Sequence, residues 1–414
     1  MHHANNKIGR WQGAGLLTTT LLGTSVFILP QMTINAAGHW AIVSWLLLTI
    51  AILPVAMVFA KLSSRYPHAG GPAYFVERAF GKSAGRTIGV MFLFVVPLGA
   101  PAAIIMTYWF IETLFGLPPQ WALPAQLGII GLLFLLNYRG IQVSSILQLL
   151  LTLVITLVIV ALLAGQTPTN DMPSALDLTQ FDIHPVLGAM SIAFWSFLGI
   201  EAISHLAEDF KNPERDLVPA IMVGTVLVGA IYLGCTWLLV DLPVTDDLSM
   251  VTLFNKIFSS GGAYVIGALG VAGGLATVNV YTASLSRLAW SLSNDQVLPA
   301  YFQTRNRFEV PQRALVCVLG VMALTLVITH IEKFNLEDLI GWANGVFVLI
   351  YLASMLSAMR LLSVRIRPMV LLGCLFCTAV ALGLGSKMLY AIGLFCLCAP
   401  VLWHQQRRSQ RSLC

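Results

Sequence analysis

The chain has 414 residues, of which 57% are apolar and 10% charged, where an ordinary soluble domain carries charge on roughly a quarter of its residues. With a mean hydropathy of +0.83, polar side chains are too few to cover a water-soluble surface, which excludes a soluble enzyme and a disordered or collagen-like chain. The net charge of +5 does not point to nucleic acid, because Lys and Arg are not gathered on one segment. An integral membrane protein is expected, with residues 1–414 forming a single membrane domain and no separate soluble one.

A helix crossing the hydrocarbon core needs about 20 apolar residues, and a transmembrane barrel strand about ten alternating ones. Unbroken runs such as 149–164 therefore predict an all-α bundle. In chain order, twelve spans are predicted at 13–36, 40–60, 86–115, 121–137, 141–164, 184–208, 217–240, 263–293, 311–330, 336–360, 367–384 and 387–404. The first run continues past Pro30 without a small-residue cleavage site, so it is expected to be a retained span. Span 8 is long enough to tilt or to project from the bilayer. Between spans 2 and 3, Tyr66-Pro67, Gly70-Gly71-Pro72, Tyr74 and Phe75 predict a short surface or re-entrant helix. The loops 165–183 and 241–262 carry Asp171, Asp177, Asp182, Asp241, Asp246 and Asp247, read as a solvated outer face.

The basic residues orient this map. Twenty of the 23 Lys and Arg residues fall at the N-terminus or in loops on its side, leaving only Lys256, Lys333 and Lys387 opposite. Basic loops stay inside, so both termini are expected in the cytoplasm.

Two spans are interrupted near their centres. Span 1 contains Leu22-Gly23-Thr24-Ser25-Val26-Phe27, and span 6 contains Phe194-Trp195-Ser196-Phe197-Leu198-Gly199-Ile200-Glu201. Unwound backbone inside a bilayer is tolerated only where it faces protein or a cavity. Each break makes two half-helices: the N–H groups of one attract a carboxylate, and the carbonyls of the other attract an ammonium. An α-amino acid carries both groups. The two glycines lie five spans apart, so spans 1–5 (13–164) would be related by inversion to spans 6–10 (184–360), with 367–404 adding two more. Taken singly, either glycine could serve only close helix packing.

Glu201 is the one carboxylate near a span's middle third. Intramembrane acids mark function by default; the other reading is a structural acid bonded to the backbone of span 1. Glu208 and Asp209 belong with the Lys211–Arg215 surface. Asn279, Thr282, Ser284 and Asn344 are read as interhelical hydrogen-bonding groups. No Lys or Arg lies at mid-depth, which favours a neutral, apolar substrate side chain resting on Trp195 and Phe197. Six of the seven cysteines sit in apolar runs as small hydrophobes, Cys374-x-x-Cys377 included. His2-His3 has no further ligands, and His184 and His205 stand at opposite ends of span 6. Neither a metal site, a cofactor, a catalytic constellation nor a channel filter is expected.

These motifs together resemble the amino acid–polyamine–organocation transporter superfamily. The resemblance is carried by Gly23-Thr24-Ser25-Val26, by Tyr66-Pro67-His68-Ala69-Gly70-Gly71 and by Trp195 through Glu201. Lys211-Asn212-Pro213-Glu214-Arg215-Asp216, Ser286-Arg287 and Leu298-Pro299 add to it. The branch it is most similar to is that of bacterial exporters of L-methionine and branched-chain amino acids, through 194–216, Trp342-Ala343-Asn344-Gly345 and Tyr351-Leu352. The resemblance implies a secondary transporter of the bacterial inner membrane with the 5+5 inverted fold, exporting neutral amino acids by alternating access; uptake or exchange is the alternative direction. It implies that backbone amides around Thr24, Ser25 and Val26, freed by the break at Gly23, hold the substrate carboxylate, with the hydroxyl of Thr24 or Ser25 assisting. Carbonyls of Leu21, Trp195 and Leu198 would accept from the ammonium, with Ser196 and Gly199 completing the second break. Trp195 would gate, and Glu201 would couple span 6 to a gate or to protons. The second glycine usual in the first break is Ser25 here, and span 5 lacks the lysine that replaces sodium in some relatives.

Overall fold

Inside a bilayer, backbone N–H and C=O groups find no water and must pair within their own segment, so long apolar runs fold as helices. The computed structural model describes residues 8–23, 25–68, 70–140, 145–165, 182–205, 207, 210–242 and 248–411. Among them there is no strand, only an isolated bridge between Ile8 and Phe210.

The first half comprises α1 (Arg10–Leu22), α2 (Leu29–Ala37), α3 (Ala41–Arg65), α4 (Gly71–Phe80), α5 (Lys82–Phe115), α6 (Ala122–Tyr138) and α7 (Ser145–Gly165). The second comprises α8 (Ile183–Ala193), α9 (Ile200–His205), α10 (Pro213–Leu239), α11 (Ser249–Phe258), α12 (Gly262–Asn294), α13 (Gln312–Glu332) and α14 (Leu336–Leu361). After these come α15 (Arg367–Leu384) and α16 (Met388–Arg411). The helix α4 is the short one predicted between spans 2 and 3. The helix α11 is a difference from the expected loop 241–262; its ten residues are too few for a span.

Ten stretches of the described residues are long and apolar enough to cross a membrane. Two of them, Ser25–Arg65 with 41 residues and Val364–Gln405 with 42, are each about twice the length of one crossing. Each contains a 3-10 turn, Gly38–Trp40 in the first and Gly385–Lys387 in the second. The helix α1, with 13 residues, falls short of a crossing by itself.

Packing is most extensive between α5 and α12, α3 and α10, and α1 and α10. One apolar core runs through the bundle, from Leu17 and Leu21 on α1 to Met355 on α14, while Leu157, Leu375 and Leu397 face outward as lipid contact requires. Buried polar groups are paired across helices: Asn137 Nδ2 donates to Asn279 Oδ1 at 2.7 Å, and Asn344 Nδ2 to the Ser191 carbonyl at 2.7 Å. These two match their predicted interhelical roles. Thr282 instead bonds back to Val278 on its own helix, and Ser284 lies on an exposed face.

Candidate functional site

Both predicted breaks are present. The helix α1 stops at Leu22 because Gly23 adopts φ +39° and ψ −133°, a conformation open to glycine and strained for residues with a Cβ. A 3-10 turn over Ser25–Phe27 follows, and α2 starts at Leu29. Across the membrane bundle, α8 ends at Ala193, a 3-10 turn covers Phe194–Phe197, and Leu198 is extended. Gly199 then takes φ +128° before α9.

The first break is pinned on both sides. The Ser25 hydroxyl lies 3.1 Å from the Leu22 carbonyl and 2.6 Å from the hydroxyl of Tyr232 on α10. That tyrosine also reaches the Leu21 carbonyl at 3.3 Å. Its ring stacks on Trp45, centroids 4.4 Å apart, and the Trp45 indole N–H donates to Thr33 on α2 at 2.9 Å. The last carbonyls of a helix lack intrahelical donors; here the Ser25 and Tyr232 hydroxyls, with two protons between them for three contacts, lie against two of them and each other.

The second break is held by a carboxylate. Glu201 is fully buried, and its Oε2 accepts the Gly199 N–H at 2.9 Å and the Tyr351 hydroxyl at 2.5 Å. Its Oε1 has no hydrogen-bond partner among the described residues. The acid therefore bonds to its own break and to α14. Among the described residues, neither bond is to the span 1 backbone.

The two breaks touch. A Cβ on Gly199 would lie 3.0 Å from the Leu21 side chain and 3.1 Å from that of Thr20. The helix α12 passes close by: a Cβ on Gly273 would lie 2.9 Å from the Gly23 carbonyl oxygen, and a Cβ on Gly23 would lie 3.0 Å from the Thr277 hydroxyl. Between these elements is a cavity of about 60 Å³, several times what one water needs. From the first break it is lined by Thr20, Leu21, Gly23 and Ser25, and from the second by Trp195 and Leu198. Three residues of α12 (Thr277, Val278 and Tyr281), four of α5 (Val95, Gly99, Ala100 and Ala103) and Phe347 of α14 complete it. No lining residue described is acidic or basic. A smaller adjoining pocket continues past Thr20, Thr277 and Tyr281 to Thr19 and Gln148.

Of the sequence-predicted site residues, Leu21, Gly23, Ser25, Trp195 and Leu198 line this cavity. Gly199 lies at the contact between the breaks. Val26 is fully buried behind them. Ser196 turns its hydroxyl onto the Ala193 carbonyl at 2.7 Å and is buried, so its side chain serves its own turn. Phe197 is likewise buried away from the cavity, and Phe347 supplies the aromatic surface expected of it. Thr24, Glu208, Asp209, Asp171, Asp177, Asp246, Asp247 and His2-His3 lie outside the described residues, as does the side chain of His205. Sequence reasoning missed Tyr232, Thr277, Tyr281 and the α5 column. The signal for Tyr232 was a phenol inside an apolar run, since a buried tyrosine hydroxyl needs a partner.

A family profile described as amino acid permease matches residues 8–404. The chain is 35% identical to the L-methionine/branched-chain amino acid exporter of Escherichia coli K12, over 95% of each chain. It is 26% identical to an uncharacterized amino acid permease of Bacillus subtilis 168, over 86% of this chain and 85% of that one. It is also 24% identical to the cadaverine/lysine antiporter of E. coli K12, over 92% of this chain and 90% of the relative.

Proposed function

The chain belongs to the amino acid permease family, a transporter and not an enzyme, and from that premise we propose that it exports neutral amino acids of the methionine, leucine, isoleucine and valine type. Transport is by alternating access across a bacterial inner membrane. The observation that carries this reading is the cavity itself, lined by both helix breaks and by apolar side chains of α5 and α14, with no charged side chain among its described lining.

The two breaks differ in a way that orients the substrate. The start of α9 is already occupied by the Glu201 carboxylate through the Gly199 N–H. The turn at Ser25–Phe27 and the start of α2 carry no acid. A free carboxylate is therefore best received at the first break, by backbone N–H groups around Gly23, Thr24, Ser25 and Val26, with the positive end of α2 behind them. The α-ammonium then faces the carbonyls of Leu21, Trp195 and Leu198. The Leu21 carbonyl already meets Tyr232, and that of Trp195 accepts from Leu198 N–H at 3.1 Å; each keeps a second lone pair. Trp195 covers the substrate side chain and acts as the gate.

With each of the two double-length stretches counted as a pair, and α1 with α2 as one broken span, the reading is of twelve spans, arranged as 5+5 inverted repeats and two more. Contacts between loops support the alternation. Segments expected inside meet one another: Ile8 with Lys211, Tyr66 with Leu361, Ala79 with Arg360, Arg86 with Asp295, and Tyr138 with Asn306. Segments expected outside do the same, His39 with Asp241 and Asp338 with Lys387. With the positive-inside rule, both termini are cytoplasmic.

The driving force in this reading is an inward proton gradient, with Glu201 as the coupling group. Exchange of one amino acid for another is the second reading, favoured by the similarity to an antiporter. The deciding experiment is counterflow in proteoliposomes of the purified protein with a panel of amino acids, repeated under imposed proton and sodium gradients. Flux of methionine and leucine that a proton gradient accelerates supports export. Flux that requires an amino acid on the opposite side supports exchange, and absence of counterflow with every amino acid overturns both.

A further inference from the structure

We propose that Gly99 and Ala103, successive turns of α5, set the size of the substrate side chain, so that the cavity takes an aliphatic or thioether chain and refuses an aromatic one. The inference rests on the transport reading above and deepens it.

Residues four apart share a helix face, and Val95, Gly99 and Ala103 form such a column, all lining the cavity. The three sizes along the column differ: a branched chain, no side chain, and a methyl. A Cβ at Gly99 would lie 3.4 Å from Cη2 of Trp195, ordinary contact distance, so the indole faces Gly99 across a notch that a single methyl would fill. Space alongside the notch is then bounded at one end by Val95 and at the other by Ala103. Phe347 closes the Val95 end; its ring meets Phe92, about one turn earlier on α5, edge to face at 5.7 Å. Nothing larger than a methyl closes the α5 wall at Ala103.

The backbone of this turn is also unusual. Pro97 and Pro101 both lie inside α5. Neither can donate to the carbonyl four residues earlier, so the carbonyls of Leu93 and Pro97, both in the turns just before Gly99, lose their helical donors. Lipid does not tolerate unpaired carbonyls, whereas protein or a cavity does. Two interior prolines flanking the glycine that faces Trp195 fit a helix wall built to face the cavity.

The test is competition against labelled leucine in counterflow by the full-length protein in proteoliposomes, with alanine, valine, leucine, methionine and phenylalanine as competitors. Wild type is compared with Ala103→Val, which narrows the pocket, and Val95→Ala, which enlarges it. Gel filtration and thermal unfolding check that both fold. One methylene in an apolar pocket changes discrimination by about tenfold or more. Ala103→Val is therefore expected to weaken methionine and leucine about tenfold relative to alanine, and Val95→Ala to let phenylalanine compete. If Ala103→Val does not fold, Gly99→Ala, whose Cβ meets Trp195 at ordinary contact distance, takes its place and is expected to weaken methionine and leucine relative to alanine; an unchanged profile there overturns the assignment. Equal weakening of every competitor in Ala103→Val, without phenylalanine competition in Val95→Ala, overturns the assignment. So does an unchanged profile in both variants of a protein whose wild type transports normally. Absence of counterflow in wild type overturns the transport reading, and this inference with it.

Discussion

The Tyr351 hydroxyl and the Glu201 carboxylate stand 2.5 Å apart, and the oxygen they share also accepts the Gly199 N–H at 2.9 Å. One carboxylate oxygen thereby joins the second helix break to α14. Tyr351 reaches the Phe197 carbonyl as well, at 3.3 Å, and its ring packs against Phe59 and Phe194. The break is thus held open by groups that are not in the cavity, while the cavity keeps its wall free for a ligand.

Removing that hydroxyl isolates its contribution. Tyr351→Phe keeps the ring contacts and leaves Glu201 Oε2 with only the Gly199 N–H. Leaving a buried polar group short of a partner costs about 1–3 kcal/mol. A lower thermal midpoint is expected, together with a slower counterflow rate and a smaller change in substrate KM, because the residue does not line the cavity. A KM effect larger than the rate effect would place Tyr351 in contact with substrate instead.

Glu201→Gln tests coupling separately from geometry. The amide oxygen can accept both bonds that Oε2 accepts now, so the break is expected to persist and counterflow without a gradient to continue. What is expected to disappear is acceleration of efflux by an acidic exterior. Measuring methionine efflux from proteoliposomes with and without an imposed pH gradient decides it; retained acceleration in the variant removes Glu201 as the coupling group.

The breaks were legible because glycine followed by hydroxyl residues, and an acid, stand out against Leu and Val in an apolar run. Five cavity residues on or beside those breaks could be named for that reason. The wall contributed by α5 could not, since Val95, Gly99 and Ala103 facing a cavity read the same as Val, Gly and Ala facing lipid or a neighbouring helix. The direction of a side chain within a 3-10 turn is equally hidden: nothing in the sequence shows that the Ser196 hydroxyl bonds to the Ala193 carbonyl of its own turn. Thr277 and Tyr281 carry no distinguishing signal in the sequence, because polar groups on a buried helix usually bond to other helices, as Asn279 on the same helix does.

Tyr232 is expected to position the first break without touching substrate. Tyr232→Phe keeps the stack on Trp45 and removes the hydroxyl from Ser25 and Leu21. Hydrogen bonds between membrane helices average about 0.6 kcal/mol and reach about 1.7, so unfolding should shift only modestly. Substrate KM should nevertheless rise several-fold, since the carbonyl end of α1 and the Ser25 side chain would lose their fixed positions. Ser25→Ala should give a KM change of the same direction, and the double variant less than the product of the two, because both remove one shared interaction.

Gly199→Ala combines two costs at the point where the breaks meet. At φ +128° a Cβ is strained by about 1–3 kcal/mol, and it would press on Leu21 and Thr20 at 3.0 and 3.1 Å. Leu21 and Thr20 both line the cavity, so the added methyl pushes the first break toward the ligand space. Gly23→Val has the corresponding effect from the other side, with its Cβ 3.0 Å from the Thr277 hydroxyl at φ +39°. Both variants are expected to lose methionine counterflow. The helices on either side are anchored independently, α1 along α10 and α8 along α15, so gel filtration should still show a monodisperse protein. Gly128→Ala is the control, because a Cβ there meets nothing within 4 Å, and it should transport at the wild-type rate. Normal flux through Gly23→Val would remove the first break from the site and leave the cavity's carboxylate end unassigned.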